Sequence, residues 1–225
     1  MWVMTDVVIP VKDLSRAKGR LQNILTPAER AGLVLAMLRD LLTTLNQCAL
    51  GDIWLVARDA AVFDLGAEFG VHDIREHVSK GYNHGVSAGL RSVNAKNSVI
   101  ILPADLPLAK PHDIAQLIQA GAGINPTVAI VPDRHNRGTN GLFLSAPDLI
   151  TPDFGESSLF NHKVAAAQLR ISAHVVPIEA MAMDIDSPED LFAVAQSTTS
   201  NSTTNFLASI AFGQAAWTSH KWEVA

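Results

Sequence analysis

The chain has 225 residues, 48% hydrophobic and 17% charged, with 17 Lys and Arg against 22 Asp and Glu, a net charge of −5. That composition supplies a core and excludes global disorder, and the acidic balance excludes binding DNA or RNA by phosphate neutralisation, which needs a basic surface. One cysteine, Cys48, excludes an internal disulfide framework and a multi-cysteine zinc site, and no run approaches the ~18 apolar residues of a membrane span. Met1 to Asp6 carry no basic region, so no signal peptide and a cytoplasmic location are expected.

The β-branched run Val7–Val11 predicts a strand buried on both faces. Thr26 as N-cap and Pro27 at the first helical position open a helix to about Gln47. Residues 53–57 read as a second strand, Asp59 as the cap of a helix ending near Gly70, and residues 71–74 as a third strand. Gly81–Gly85 reads as a turn before a helix from Val86 to Asn94. Residues 98–102 form the fourth strand, Pro111 opens a helix through Gln119, and 127–131 and 141–144 are strands five and six. Residues 157–169 read as helix and 173–177 as strand, and Ser187-Pro188-Glu189-Asp190 opens the last core helix with a capping box. Strands alternating with helices argue a mostly parallel sheet covered on both faces, with ligands at the carboxyl ends of strands. The loops after strands one, four and six are therefore where chemistry is expected.

Residues 197–205 are polar and of low complexity and read as a linker; 206–225 are apolar again and read as a tail docking on its own domain or on a second subunit, which leaves a homodimer open. Only Lys221 gives that tail positive side-chain charge, which disfavours a membrane-surface helix.

Four constellations carry candidate chemistry. Lys12, Lys18 and Arg20 follow the first strand, where cations suit phosphates; a solvated basic loop is the competing reading. No Walker loop or Gly-x-Gly-x-x-Gly motif accompanies them. Asp105, between Pro103 and Pro107, follows a wholly apolar strand in a stiffened turn, too far from Pro111 to cap the next helix, so it reads as a metal or ligand contact. In extended Asp184-Ile185-Asp186 both carboxylates face one side, which suits a hard divalent cation; Asp186 as a helix cap competes, although Ser187 fills that position. Gly155 leads into a helix N-terminus suited to anions, and Ser158 and His162 share a helix face; an ordinary cap and a packed histidine are the alternatives.

Taken in order, Ile9-Pro10-Val11-Lys12, Ala17-Lys18-Gly19-Arg20-Leu21, Leu102-Pro103-Ala104-Asp105-Leu106-Pro107, Gly138-Thr139-Asn140, Phe154-Gly155-x-x-Ser158-x-x-x-His162 and Asp184-x-Asp186-Ser187-Pro188-Glu189-Asp190-Leu191 resemble the 2-phospho-L-lactate guanylyltransferase family, which includes phosphoenolpyruvate and 3-phospho-D-glycerate versions. The resemblance spans about residues 6–195 and departs at Gly19, where Ser or Thr is common, and at His84-Gly85. It implies a three-layer α/β/α nucleotidyltransferase fold with a mostly parallel mixed sheet, in a domain over 1–196 followed by the linker and tail. It implies GMP transfer from GTP to a small phosphorylated carboxylic acid, with pyrophosphate released, in coenzyme F420 biosynthesis. Asp105, Asp184 and Asp186 would hold Mg²⁺, or Mn²⁺ in its place, with Lys18 and Asp105 catalytic. Lys12, Lys18, Arg20 and Asn83 would bind the nucleotide, Asn83 near the base, while Thr139, Gly155, Ser158 and His162 would bind the acid. A related enzyme using a molybdopterin or sugar phosphate, an Asp-x-Asp glycosyltransferase, and an inactive nucleotide-binding domain are the rival readings.

Overall fold

The computed structural model describes residues 4–77, 80–123, 126–210 and 212. Seven strands form one sheet: β1 (Thr5–Pro10), β2 (Ile53–Ala57), β3 (His72–Arg75), β4 (Ser98–Ile101), β5 (Val128–Pro132), β6 (Thr139–Leu144) and β7 (His174–Val175). Their spatial order is β3-β2-β1-β4-β6-β5-β7, and only β6 runs antiparallel to its neighbours. The helices are α1 (Pro27–Leu45), α2 (Ala60–Ala67), α3 (Tyr82–Leu90), α4 (Pro111–Gly121), α5 (Ser158–Gln168), α6 (Glu179–Ala182), α7 (Pro188–Ala195) and α8 (Ser202–Ser209). No described helix is long and apolar enough to cross a membrane.

Strand side chains alternate between faces, so the central strands divide the core in two. Val7, Ile9, Leu55, Ile100, Ala129 and Phe143 join α1, α4 and α7 on one face. Val8, Val56, Val99, Ile101, Ile130 and Leu142 join α3 and α5 on the other. The expected three-layer α/β/α arrangement is thus formed, with β6 supplying the mixed character.

Three local expectations change. Helix α3 starts at Tyr82 rather than Val86, with Gly81 as N-cap at a φ of 97°. Gly89 is inside that helix because a Cβ there would collide with Val8 of β1, so it is a close-packing residue rather than a breaker. Asp59 precedes α2 but makes no cap bond; its carboxylate accepts from the backbone N–H of Leu14 at 3.0 Å and pins the loop after β1. The polar stretch expected as linker reaches into α8, whose N-cap is Asn201. Its first-turn donors are taken by buried Asp40 of α1, which accepts from Ser202 N at 2.7 Å and from Thr203 N and Oγ1 at 2.8 and 2.6 Å. Leu207 is buried beneath it, and the Phe192 and Phe212 rings lie 4.9 Å apart, so this part of the apolar segment docks on its own domain. Trp217 and Trp222 of the expected tail lie outside the described residues.

Candidate active site

One cleft of about 490 Å³ is lined by Lys12, Lys18, Arg20, Asp105, Thr139, Gly155, Ser158, Asp184 and Asp186, nine positions drawn from five separate stretches of chain. It lies beyond the carboxyl ends of β1 and β4, as expected. The sixth strand needs correction. Because β6 is antiparallel, Thr139 at its start pairs with Pro132 at the end of β5, while Leu144 at its end pairs with Val128 and Val99 at strand starts. The cleft therefore takes the beginning of β6, and the segment after β6 returns to it from Phe154 to Ser158.

Asp105, Asp184 and Asp186 each present a carboxylate oxygen, the three within 4.8 Å of one another. Lys18 lies against them. Its ammonium donates to Asp105 and, at 2.8 Å, to Asp186, with only 6% of the side chain exposed. Burial opposes charge on Lys18, but the two carboxylates outweigh it and hold its pKa above the ordinary lysine value. Burial also opposes charge on Asp186, and there Lys18 wins, holding the carboxyl below its usual range. Asp184 goes the other way: burial first, then the nearby Asp105 carboxylate, raises it. Lys18 has left-handed backbone angles, φ 51° and ψ 45°, a conformation costly for a residue with a Cβ and commonly found at functional sites.

The acidic loop is held from behind. Asn140 Nδ2 donates to Asp184 Oδ1 at 3.1 Å and to the Met181 carbonyl at 3.0 Å. Asp190, the N3 residue of the α7 capping box, accepts from the backbone N–H of Asp186 at 3.1 Å and of Ser187 at 2.8 Å, and pairs with Arg134. Arg134 and Arg137 line the cleft together with Lys12, Lys18 and Arg20, so five cations share it with the three carboxylates. Such a pairing of cations with a carboxylate trio suits a polyphosphate carrying a divalent ion.

Two expected site residues do not line the cleft. Asn83 lies at the start of α3 and forms a two-way amide bond with Phe154: Nδ2 donates to its carbonyl at 3.0 Å and Oδ1 accepts from its N–H at 2.8 Å. His162 is fully buried between Thr139 and the Asp153 backbone, with the Phe154 ring 4.9 Å from its own. Tyr82, which sequence reasoning passed over, lines the cleft; the Lys12 ammonium lies 5.8 Å from its ring centre. Its hydroxyl is buried with no hydrogen-bond partner among the described residues, and burial followed by the Asp105 charge raises its pKa.

The family model described as guanylyl transferase CofC like matches residues 5–224. The chain belongs to this family. It is 37% identical over 186 residues to the phosphoenolpyruvate guanylyltransferase of Rubrobacter xylanophilus, covering 82% of this chain and 90% of the relative. It is 31% identical over 209 residues to the 2-phospho-L-lactate guanylyltransferase of Methanocaldococcus jannaschii, covering 92% and 90%. Among solved structures, a nucleotidyl transferase from Methanothermobacter thermautotroptrophicus shares the fold at a TM-score of 0.59 and 14% identity, covering 92% of this chain and 99% of that one. The family protein is thus a nucleotidyltransferase, and its match extends through α8.

Proposed function

We propose that the protein transfers GMP from GTP to the phosphate of a small phosphorylated carboxylic acid in coenzyme F420 biosynthesis, in the cytoplasm, releasing pyrophosphate. The observation that carries this reading is the carboxylate trio held by Lys18 in one cleft with Lys12, Arg20, Arg134 and Arg137, in a chain of this family. Phosphoenolpyruvate and 2-phospho-L-lactate, the substrates in the names of the relatives, are the first candidates, and 3-phospho-D-glycerate the third.

The donor set fits Mg²⁺ or Mn²⁺: three oxygen ligands in close reach, with a hard cation the natural counter-charge. Asp105, Asp184 and Asp186 would hold it, and when bound it offsets charge on phosphate oxygens. Lys12, Lys18 and Arg20 bind the triphosphate. Thr139, Gly155 and Ser158 bind the acid beside the start of α5. An oxygen of the acceptor phosphate attacks the α-phosphorus of GTP as the bond to the β-phosphate oxygen breaks. That oxygen is already anionic at neutral pH, so no general base is required. The rate then comes from positioning and from Lys18 and its cationic neighbours meeting the charge that develops.

The test is pyrophosphate release from GTP and Mg²⁺ with each of the three acids. Release with one of them is expected. Release only with a sugar phosphate or molybdopterin, or GTP binding without turnover, would overturn the reading.

A further inference from the structure

His162 has its protonation pattern dictated by its neighbours. Its Nε2 lies 3.1 Å from the backbone N–H of Asp153. A peptide N–H only donates, so Nε2 presents a lone pair. The proton of the neutral ring is therefore on Nδ1, which lies 3.0 Å from Thr139 Oγ1. Nδ1–H donates and the hydroxyl accepts. The hydroxyl keeps its own proton, for which no acceptor is present among the described residues, and Thr139 lines the cleft. An imidazolium would set N–H against N–H at Asp153. Burial already lowers the ring pKa to about 4, against the upward pull of Asp153, the charged group facing it.

We propose that His162, fixed as the Nδ1–H tautomer, is the positioning residue that makes the Thr139 hydroxyl a donor aimed at an oxygen of the anionic acceptor. By holding the Asp153 N–H it also sets the Phe154–Gly155 turn on the same wall. This rests on reading the cleft as the acid site. It assigns His162 a role beneath the substrate in place of contact with it.

The test joins a spectrum to a kinetic cycle. In ¹⁵N-labelled wild-type protein, long-range ¹H–¹⁵N correlation at neutral pH reports Nε2 as the unprotonated nitrogen; a protonated Nε2 overturns the proposal. H162Q keeps an acceptor toward Asp153 and loses the donor to Thr139, while H162N keeps a donor at the δ position. H162Q and T139V are each expected to raise KM for the acid about 10-fold or more, the loss of one hydrogen bond to a charged group, with KM for GTP unchanged. H162N, which keeps the donor to Thr139 but frees the Asp153 N–H, is expected to recover part of the acid affinity lost in H162Q, and T139V/H162Q is no worse than T139V. Losses that multiply in the double variant, or a matching rise in KM for GTP, overturn it. Should H162Q fail to fold, T139S retaining acid affinity where T139V loses it carries the same test. Wild-type protein that turns over none of the acids defeats the functional reading, and the spectrum still decides the tautomer.

Discussion

Lys18→Met removes the cation that lies against the carboxylate trio. In the native protein the ammonium touches Asp105 and Asp186, whose side chains are 22% and 47% exposed. With it gone, carboxylate oxygens within 4.8 Å of one another face each other without that charge. At an effective dielectric of about 20, two unit charges at that distance repel by roughly 3–4 kcal/mol. Breaking a buried pair typically costs about 3–5 kcal/mol, and solvent reaching Asp186 reduces this to an expected ~2–4 kcal/mol. For a chain of this size, at about 2–4 °C per kcal/mol, melting should fall by roughly 4–16 °C. The assay is thermal unfolding in EDTA and in excess Mg²⁺. K18M should melt lower in EDTA and recover more on adding Mg²⁺ than wild type does, because a divalent ion supplies the missing charge. Equal melting temperatures in EDTA, or equal Mg²⁺ shifts, would refute the reasoning.

His162 makes stability depend on acid. Its pKa falls from 6.5 to about 4 on folding, so only the unfolded chain takes up a proton between those values. Its contribution is complete above that window and lost as pH falls through it, about 2 kcal/mol by pH 5. Denaturant unfolding at neutral pH and pH 5 should show this loss in wild type and not in H162N; equal acid slopes would contradict it. Asp105→Asn should cut pyrophosphate release at least ~10²-fold with an unchanged circular dichroism spectrum, and full activity would remove Asp105 from the chemistry. Asn83→Ala should raise KM for the acid about 10-fold by freeing the Phe154 backbone, leaving the preference for GTP over ATP intact; an altered base preference would place Asn83 at the base instead.

The central strands and the acidic cluster were legible because their signals are local. Val7–Val11 and Ser98–Leu102 are apolar runs, and the spacing of Asp184 and Asp186 in an extended segment places both on one side. Two further kinds of information were not local. The direction of β6 is set by pairing, and that decides which of its ends meets the cleft. Asn83 was a contact to the base only through the family resemblance, and His162 a ligand contact through that resemblance and the helix face it shares with Ser158. In the structure Asn83 bonds the Phe154 backbone and the Asp153 carboxylate, and His162 bonds the Asp153 N–H and the Thr139 hydroxyl, and no spacing rule announces those partners. Of the glycines that suggested a turn before Val86, Gly81 supplies the positive φ that starts α3, and a Cβ on Gly85 would come within 3.3 Å of Pro10 of β1, an approach visible only once both elements are placed.

The seat of α8 bears on how the polypeptide can be shortened. Asn201 Nδ2 donates to the Pro107 carbonyl at 2.9 Å, two residues along the chain from Asp105. A protein ended at residue 196 would strip this buttress from the Asp105 turn, orphan the Asp40 carboxylate and bare the apolar floor under Leu207. The low-complexity stretch that invites truncation is thus a foundation stone of the candidate site.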